Sequence, residues 1–130
     1  MNKKYVFFIA DDDPDDQEIF IKALKEIDES CECIVASDGE EALEKLFASP
    51  LAVPDFVFLD LNMPKLNGKQ CLKEIKLHDR FKEIPVIIYS TSADKKEMQE
   101  TNDLGAAFFL QKPNRFDDLC NSLALLIGKN

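Results

Sequence analysis

Val6-Phe7-Phe8-Ile9-Ala10-Asp11-Asp12-Asp13-Pro14 decides the fold: five apolar residues run straight into three aspartates and a proline. An apolar run of this length, without polar alternation, suits a strand covered on both faces, as in a parallel sheet. Pro14 suits the first turn of a helix, with Asp13 before it as the N-cap. From there Ile19, Phe20, Ala23, Leu24 and Ile27 keep helical spacing and form one apolar stripe. The stretch therefore reads as strand, acidic turn, helix.

The same punctuation recurs along the chain. Phe56–Leu59 ends at Asp60, Val86–Tyr89 at Ser90, and Ala106–Leu110 at Gln111 and Lys112. Cys31–Ala36 reads as the second strand, and Asp38 with Glu41 three residues later is a capping-box-like start for a helix through Phe47. Pro50 and Pro54 bracket a connecting loop, and Met63-Pro64 to Gly68 is turn-rich. Cys71, Leu72 and Ile75 lie on the inner face of a third helix. A fourth helix, about Ala93 to Leu104, is weakly amphipathic, with Met98 and Leu104 its main apolar members, and Gly105 ends it. The fifth carries Phe116, Leu119, Cys120, Leu123 and Ile127 on one stripe. The pattern is (βα)5, an α/β fold with a doubly wound, five-stranded parallel sheet and helices on both faces.

Length and composition narrow the class. At 130 residues the chain is expected to be a single domain with a real core, spanning 1–130 with no output domain after helix five. The Lys3-Lys4 pair before Tyr5–Ala10 is not a signal peptide, because the apolar part is too short and aspartates follow at once. No apolar run approaches the roughly 20 residues of a membrane helix, and a cytoplasmic protein is expected. With 25 acidic against 16 basic residues, a net charge of -9 repels a phosphate backbone and argues against direct nucleic-acid binding. Asp15 and Asp16 read as a solvated helix start. Cys31, Cys33, Cys71 and Cys120 read as reduced packing thiols, with Cys31 and Cys33 expected on opposite faces of a strand. No C-x-x-C pair is present and one His cannot complete a zinc set. That residue, His78, reads as solvent-facing, and the aromatic residues of the strands, Phe108 included, as mostly core.

In an open parallel sheet the ligand site lies beyond the carboxyl ends of the strands. Strand ends would gather Asp11, Asp12, Asp60, Ser90 and Lys112 into one patch. Crowded carboxylates repel one another, and a hard cation with oxygen ligands relieves this; Mg2+ fits because it takes one or two carboxylates and bridges to phosphoryl oxygens. Asp60, alone at the end of the central strand, is the natural nucleophile, since a carboxylate attacking a phosphoryl group gives an acyl phosphate. Lys112 supplies a point charge suited to phosphate, and the Ser90 hydroxyl can donate to a phosphoryl oxygen.

With those residues in order, the chain resembles a receiver domain of a two-component response regulator, similar to the stand-alone chemotaxis type. The resemblance rests on Asp11-Asp12, on Leu59-Asp60-Leu61-Asn62-Met63-Pro64, on Ile88-Tyr89-Ser90-Thr91-Ser92 and on Lys112-Pro113, with Gly68 and Gly105-Ala106 also in place. It covers about Lys4 to Ile127. It implies the flavodoxin-like strand order 2-1-3-4-5. It implies that Asp60 accepts phosphate from a histidine kinase or phosphotransfer protein, that Asp12 and Asp60 bind Mg2+ directly with the Asn62 backbone carbonyl, and that Asp11 acts mainly through water. It further implies that Lys112 contacts the phosphoryl group, and that Ser90 and Phe109 are the switch residues remodelling the face of helix four, strand five and helix five. Such a domain catalyses only its own phosphorylation and dephosphorylation, and it acts on an effector protein left unidentified by the resemblance. A homodimer through the same face is also compatible with it. Two departures stand out: Ser90 where the family more often has Thr, and Phe109 where it more often has Tyr.

The same residues bear on other functions. Asp11-Asp12-Asp13 satisfies the Asp-x-Asp of a haloacid-dehalogenase-type phosphatase, but Pro14 follows in the wrong context, no loop-and-flap segment is present, and Asp60 is left without a role. A flavin module would need its first loop to cradle a phosphate, and the aspartates there repel one. A receiver used only for binding, its phosphorylation vestigial, retains no advantage when all the chemical residues are present.

Overall fold

In the computed structural model, which describes residues 4–48 and 53–128, the opening stretch is β1, Val6–Ala10, followed by α1, Pro14–Ile27. Asp13 caps α1, its side chain accepting from the Asp15 N–H at 2.9 Å. The remaining elements are β2 (Glu32–Ala36), α2 (Gly39–Ala48), β3 (Phe56–Leu59), α3 (Gly68–Leu77), β4 (Val86–Ser90), α4 (Lys95–Asp103), β5 (Phe108–Gln111) and α5 (Phe116–Leu126). The strands pair in parallel in the order β2-β1-β3-β4-β5. This is the flavodoxin-like (βα)5 arrangement expected from the sequence. Lys3, Pro50 and Asn130 fall outside the described residues.

The period of two in each strand sorts the core into two halves. Phe8, Ala10, Val57, Leu59, Val86 and Ile88 face α2 and α3, burying Leu46, Cys71, Leu72 and Ile75. Phe7, Ile9, Phe58, Ile87 and Tyr89 face α1 and α5, burying Phe20, Leu24, Leu119 and Leu123. Phe20 meets Phe58 edge-on at 4.8 Å, the geometry that ring quadrupoles favour. Each fully buried side chain of this size stabilises the fold by about 1.5–3 kcal/mol.

Helix starts follow local chemistry. Asn67 and Gln70 form a reciprocal capping box at α3. At α2, Asp38 accepts from the Glu41 N–H at 2.8 Å, while the Glu41 carboxylate reaches back to the Ser37 N–H rather than to Asp38 itself. α3 starts tight against β3: a Cβ on Gly68 would lie 2.3 Å from the Asp60 carbonyl oxygen, a distance only glycine permits.

Four expectations are corrected. Cys31 precedes β2, and with Cys33 it packs into the same half of the core, because residues two apart on extended chain share a face. Phe108 is 56% exposed, since β5 is an edge strand with little covering its outer part. His78 is half-buried and stacks on Phe47 at 4.6 Å, sealing the end of α3. α4 is shorter than predicted, because Asp94 caps it through the Lys96 N–H at 2.7 Å.

Candidate functional site

The chain leaves β1 toward β2 on one side and returns as β3 on the other, so the strand order reverses at β1. Loops diverge there and leave a crevice at the carboxyl ends of β1 and β3. Register decides what fills it. Ala10 pairs with Leu59, so the next residues, Asp11 and Asp60, emerge side by side, and the Asp60 N–H donates to the Ala10 carbonyl at 2.9 Å. Ser90 pairs with Gln111, which brings Lys112 past the end of β4, its N–H donating to the Ser90 carbonyl at 2.7 Å.

Asp11 and Asp60 are held in the same way. Oδ1 of Asp11 accepts from the Asp13 N–H at 3.0 Å, and Oδ1 of Asp60 accepts from the Asn62 N–H at 3.2 Å. These are Asx turns, in which a carboxylate ties down the loop that follows it. Each Oδ2 is thereby turned toward the Lys112 ammonium, at 2.8 Å for Asp11 and 3.2 Å for Asp60. The Gln17 side chain donates to the Asp11 carbonyl and to Ser37, tying α1 to the same loop.

Burial governs the charges. Asp11 is wholly inaccessible, which pushes its carboxyl up to about 6; the Lys112 ammonium only partly offsets this. Burial by itself lowers Lys112, yet the adjoining carboxylates of Asp11, Asp16 and Asp60 outweigh it and leave the ammonium above its ordinary value. The Tyr89 ring lies 5.2 Å from Lys112 Nζ, a cation–π contact, and burial pushes the Tyr89 phenol up to about 12.

The oxygens of Asp11, Asp12 and Asp60 lie within 4.8 Å of one another. Three carboxylates with no thiol or imidazole among them are hard donors, and the elevated Asp11 marks a place where further positive charge is favourable. The set fits Mg2+ or Mn2+. Asp12 is exposed and opens onto a groove of about 450 Å3 lined by Asn62, Met63, Pro64, Asn67, Lys69 and Glu97. Small ligands can enter from that side.

Ser90 is fully buried beside this cluster, its Oγ accepting from the Ser92 N–H at 3.3 Å. Phe109 lies elsewhere. It is half-buried against the α2–α3 half of the core and lines a cavity of about 540 Å3 with Lys95, Met98, Thr101, Asn102 and Phe108. Thr101 is the buried residue of α4, so this helix rests lightly on the sheet.

Two residues join the site that the sequence reading left out. The sequence makes Asp16 a solvated residue of the helix start, yet its Oδ2 lies 2.8 Å from Lys112 Nζ, as near as Asp11 and nearer than Asp60. The available signal was its place one turn into α1 after Asp13, on the end of the helix that faces the strand ends. Lys69, the second residue of α3, pairs with Glu97 at 2.9 Å and Glu100 at 2.5 Å, both on α4. No spacing rule links residues on separate helices.

Known proteins are similar to this chain in sequence and fold. The chain is 35% identical over 95 residues to chemotaxis protein CheY1 of Helicobacter pylori, covering 73% of this chain and 75% of CheY1. It is 30% identical over 124 residues to response regulator Rcp1 of Synechocystis, covering 91% of this chain and 83% of Rcp1. The crystal structure of Rcp1 with Mn2+ bound superposes with a TM-score of 0.82 at 27% identity, over 94% of this chain and 91% of that one. The phosphorylated cyanobacterial phytochrome response regulator RcpA gives 0.86 at 27% identity, over 95% and 91%. Residues 7–124 match the response regulator receiver domain, and the chain belongs to that family of two-component signalling domains.

Proposed function

We propose that this receiver takes a phosphoryl group onto Asp60, from a phosphohistidine of a sensor kinase or phosphotransfer protein, in a reaction that requires Mg2+. The observation carrying this reading is the convergence on Asp60 of one ammonium, at 3.2 Å, and two further carboxylates, with all three carboxylates within 4.8 Å. A carboxylate oxygen of Asp60 attacks phosphorus, the P–N bond of the donor breaks, and the leaving imidazole keeps the electron pair and takes a proton. Asp11, Asp12 and Asp60 would hold the cation with the Asn62 carbonyl, and the cation would supply charge neutralisation at the phosphoryl oxygens. Lys112 donates to those oxygens, and Ser90 reorients its hydroxyl toward them. The Mn2+-bound state of Rcp1 and the phosphorylated state of RcpA support both halves of the reading.

Phosphorylation then biases the conformation of Ser90 and Phe109, and with it the face formed by α4, β5 and α5, where exposed Met98 and Phe108 await an effector protein. Among the described residues no helix is long and apolar enough to cross a membrane, which agrees with action in the cytoplasm.

Intact-protein mass after incubation with acetyl phosphate tests this directly. A single Mg2+-dependent phosphoryl adduct in the native protein, absent from Asp60→Asn, is expected. Retained labelling in that variant would move the chemistry to Asp11, Asp12 or Asp13, and no adduct on folded native protein would leave a binding-only domain.

A further inference from the structure

We infer that Asp16 is a positioning residue for this reaction: it anchors the Lys112 ammonium at the phosphoacceptor. The inference rests on the proposed phosphoryl transfer. Lys112 Nζ meets three carboxylate oxygens, Asp11 at 2.8 Å, Asp16 at 2.8 Å and Asp60 at 3.2 Å. Asp16 and Asp60 accept hydrogen bonds from the ammonium, while Asp11 Oδ2 is in ion-pair contact without one. Two of the three partners belong to the acidic trio suited to a divalent cation; Asp16 does not. With Asp11 and Asp60 turned to a cation, Asp16 is the one carboxylate of the three that stays with the lysine alone.

The surroundings show why an anchor matters. Lys112 reaches the crevice on a four-carbon stem, and a lysine free to sample its rotamers spends little time in any one place. Beside it, between α1 and the start of α5, a cavity of about 240 Å3 is lined by Asp16, Ile19, Tyr89, Lys112 and Phe116. Here the ammonium could swing away from Asp60. Asp16 is fixed independently of the crevice, in the first turn of a helix that Asp13 and Pro14 start. Its grip keeps the ammonium within reach of Asp60 Oδ2 and leaves the other two N–H groups for phosphoryl oxygens.

Charge alone predicts the opposite sign. A carboxylate near an incoming phosphoryl group repels it, so if Asp16 acted only through its charge, removing it would speed the reaction. The direction of the change therefore decides between anchoring and simple repulsion.

The experiment uses the full chain as native protein, Asp16→Ala and Asp16→Glu. The initial rate of adduct formation from acetyl phosphate with Mg2+ should fall about tenfold in Asp16→Ala, the lower end of the scale of one lost charge-assisted hydrogen bond. Asp16→Glu, which can still reach the ammonium, should stay within about twofold of native. A second readout needs no phosphorylation: the side-chain ammonium signal of Lys112 by 1H–15N NMR in Mg2+-loaded protein, assigned by its loss in Lys112→Arg. It should be sharp in native protein and broadened in Asp16→Ala. A rate unchanged or faster in Asp16→Ala, or an ammonium signal indifferent to the substitution, overturns the anchor. Failure of the native protein to label would instead overturn the proposed function.

Discussion

Lys69 of α3 and Glu97 of α4 join across the groove beside Asp12, 2.9 Å apart, and Glu100 one turn further on takes the same ammonium. These hydrogen bonds raise Lys69 above its ordinary value and lower Glu100. Because α4 buries so little, this charge contact supplies much of what orients it. Lys69→Glu sets three like charges together. Amide exchange across Lys95–Asp103 should then quicken, roughly tenfold, while the sheet is unaffected. Added salt should move the native protein the same way, since the pair is near solvent. Equal protection of α4 in the variant would show that packing alone holds it.

Asp11 gives the cation-free protein a pH dependence of unusual sign. Its carboxyl titrates near 6 in the folded protein against an ordinary 3.8. Between those values the folded state binds more protons than the unfolded one, so stability falls as pH rises from about 4 to about 6 and is level above. The whole effect is at most about 3 kcal/mol. Glu32, Asp38 and Glu100 are held low, so they act in the opposite sense and in a more acidic window. Urea unfolding in chelator should show the fall, and Asp11→Asn should flatten it.

Gly68→Ala should destabilise the protein by about 3 kcal/mol, a large single-site effect that backbone collision produces. The new Cβ would meet the Asp60 carbonyl, a backbone atom that no side-chain rotation can clear. A thermal midpoint within a degree or two of native would mean that the start of α3 moves freely from Asp60.

Ser90→Ala separates chemistry from response. The lost hydrogen bond to the Ser92 N–H costs about 1 kcal/mol of stability. Labelling of Asp60 should persist, because Lys112 and the carboxylates are untouched. The phosphorylation-linked changes in NMR shifts along α4 and β5 should shrink. Full-sized shifts in the variant would remove Ser90 from the switch.

The strands were legible because each is a short apolar run cut off by a polar residue, and the site was legible because parallel topology sends those cut-off residues to one edge. That rule brings together Asp11, Asp60, Ser90 and Lys112 from strands far apart in sequence. It says nothing of helix residues. Asp16 reaches Lys112 through the rotation of α1 against the sheet, and Lys69 meets Glu97 through the angle between two helices. Neither quantity has a sequence period. Phe108 misled for a related reason: an aromatic run marks a strand, but only strand order says which strand is the edge.

The paired Oδ2 contacts of Asp11 and Asp60 with Lys112 carry one consequence for how the protein lives before it is used. Crowded acids often leave a fold dependent on the metal that quiets them, so that assembly waits on supply. This chain brings its own counter-ion, covalently attached through β5. Part of the neutralisation that the acidic crevice needs is therefore built in as the chain folds, before any divalent ion arrives. On the proposed function, scarcity of metal would idle the domain while Lys112 still holds its acidic crevice together.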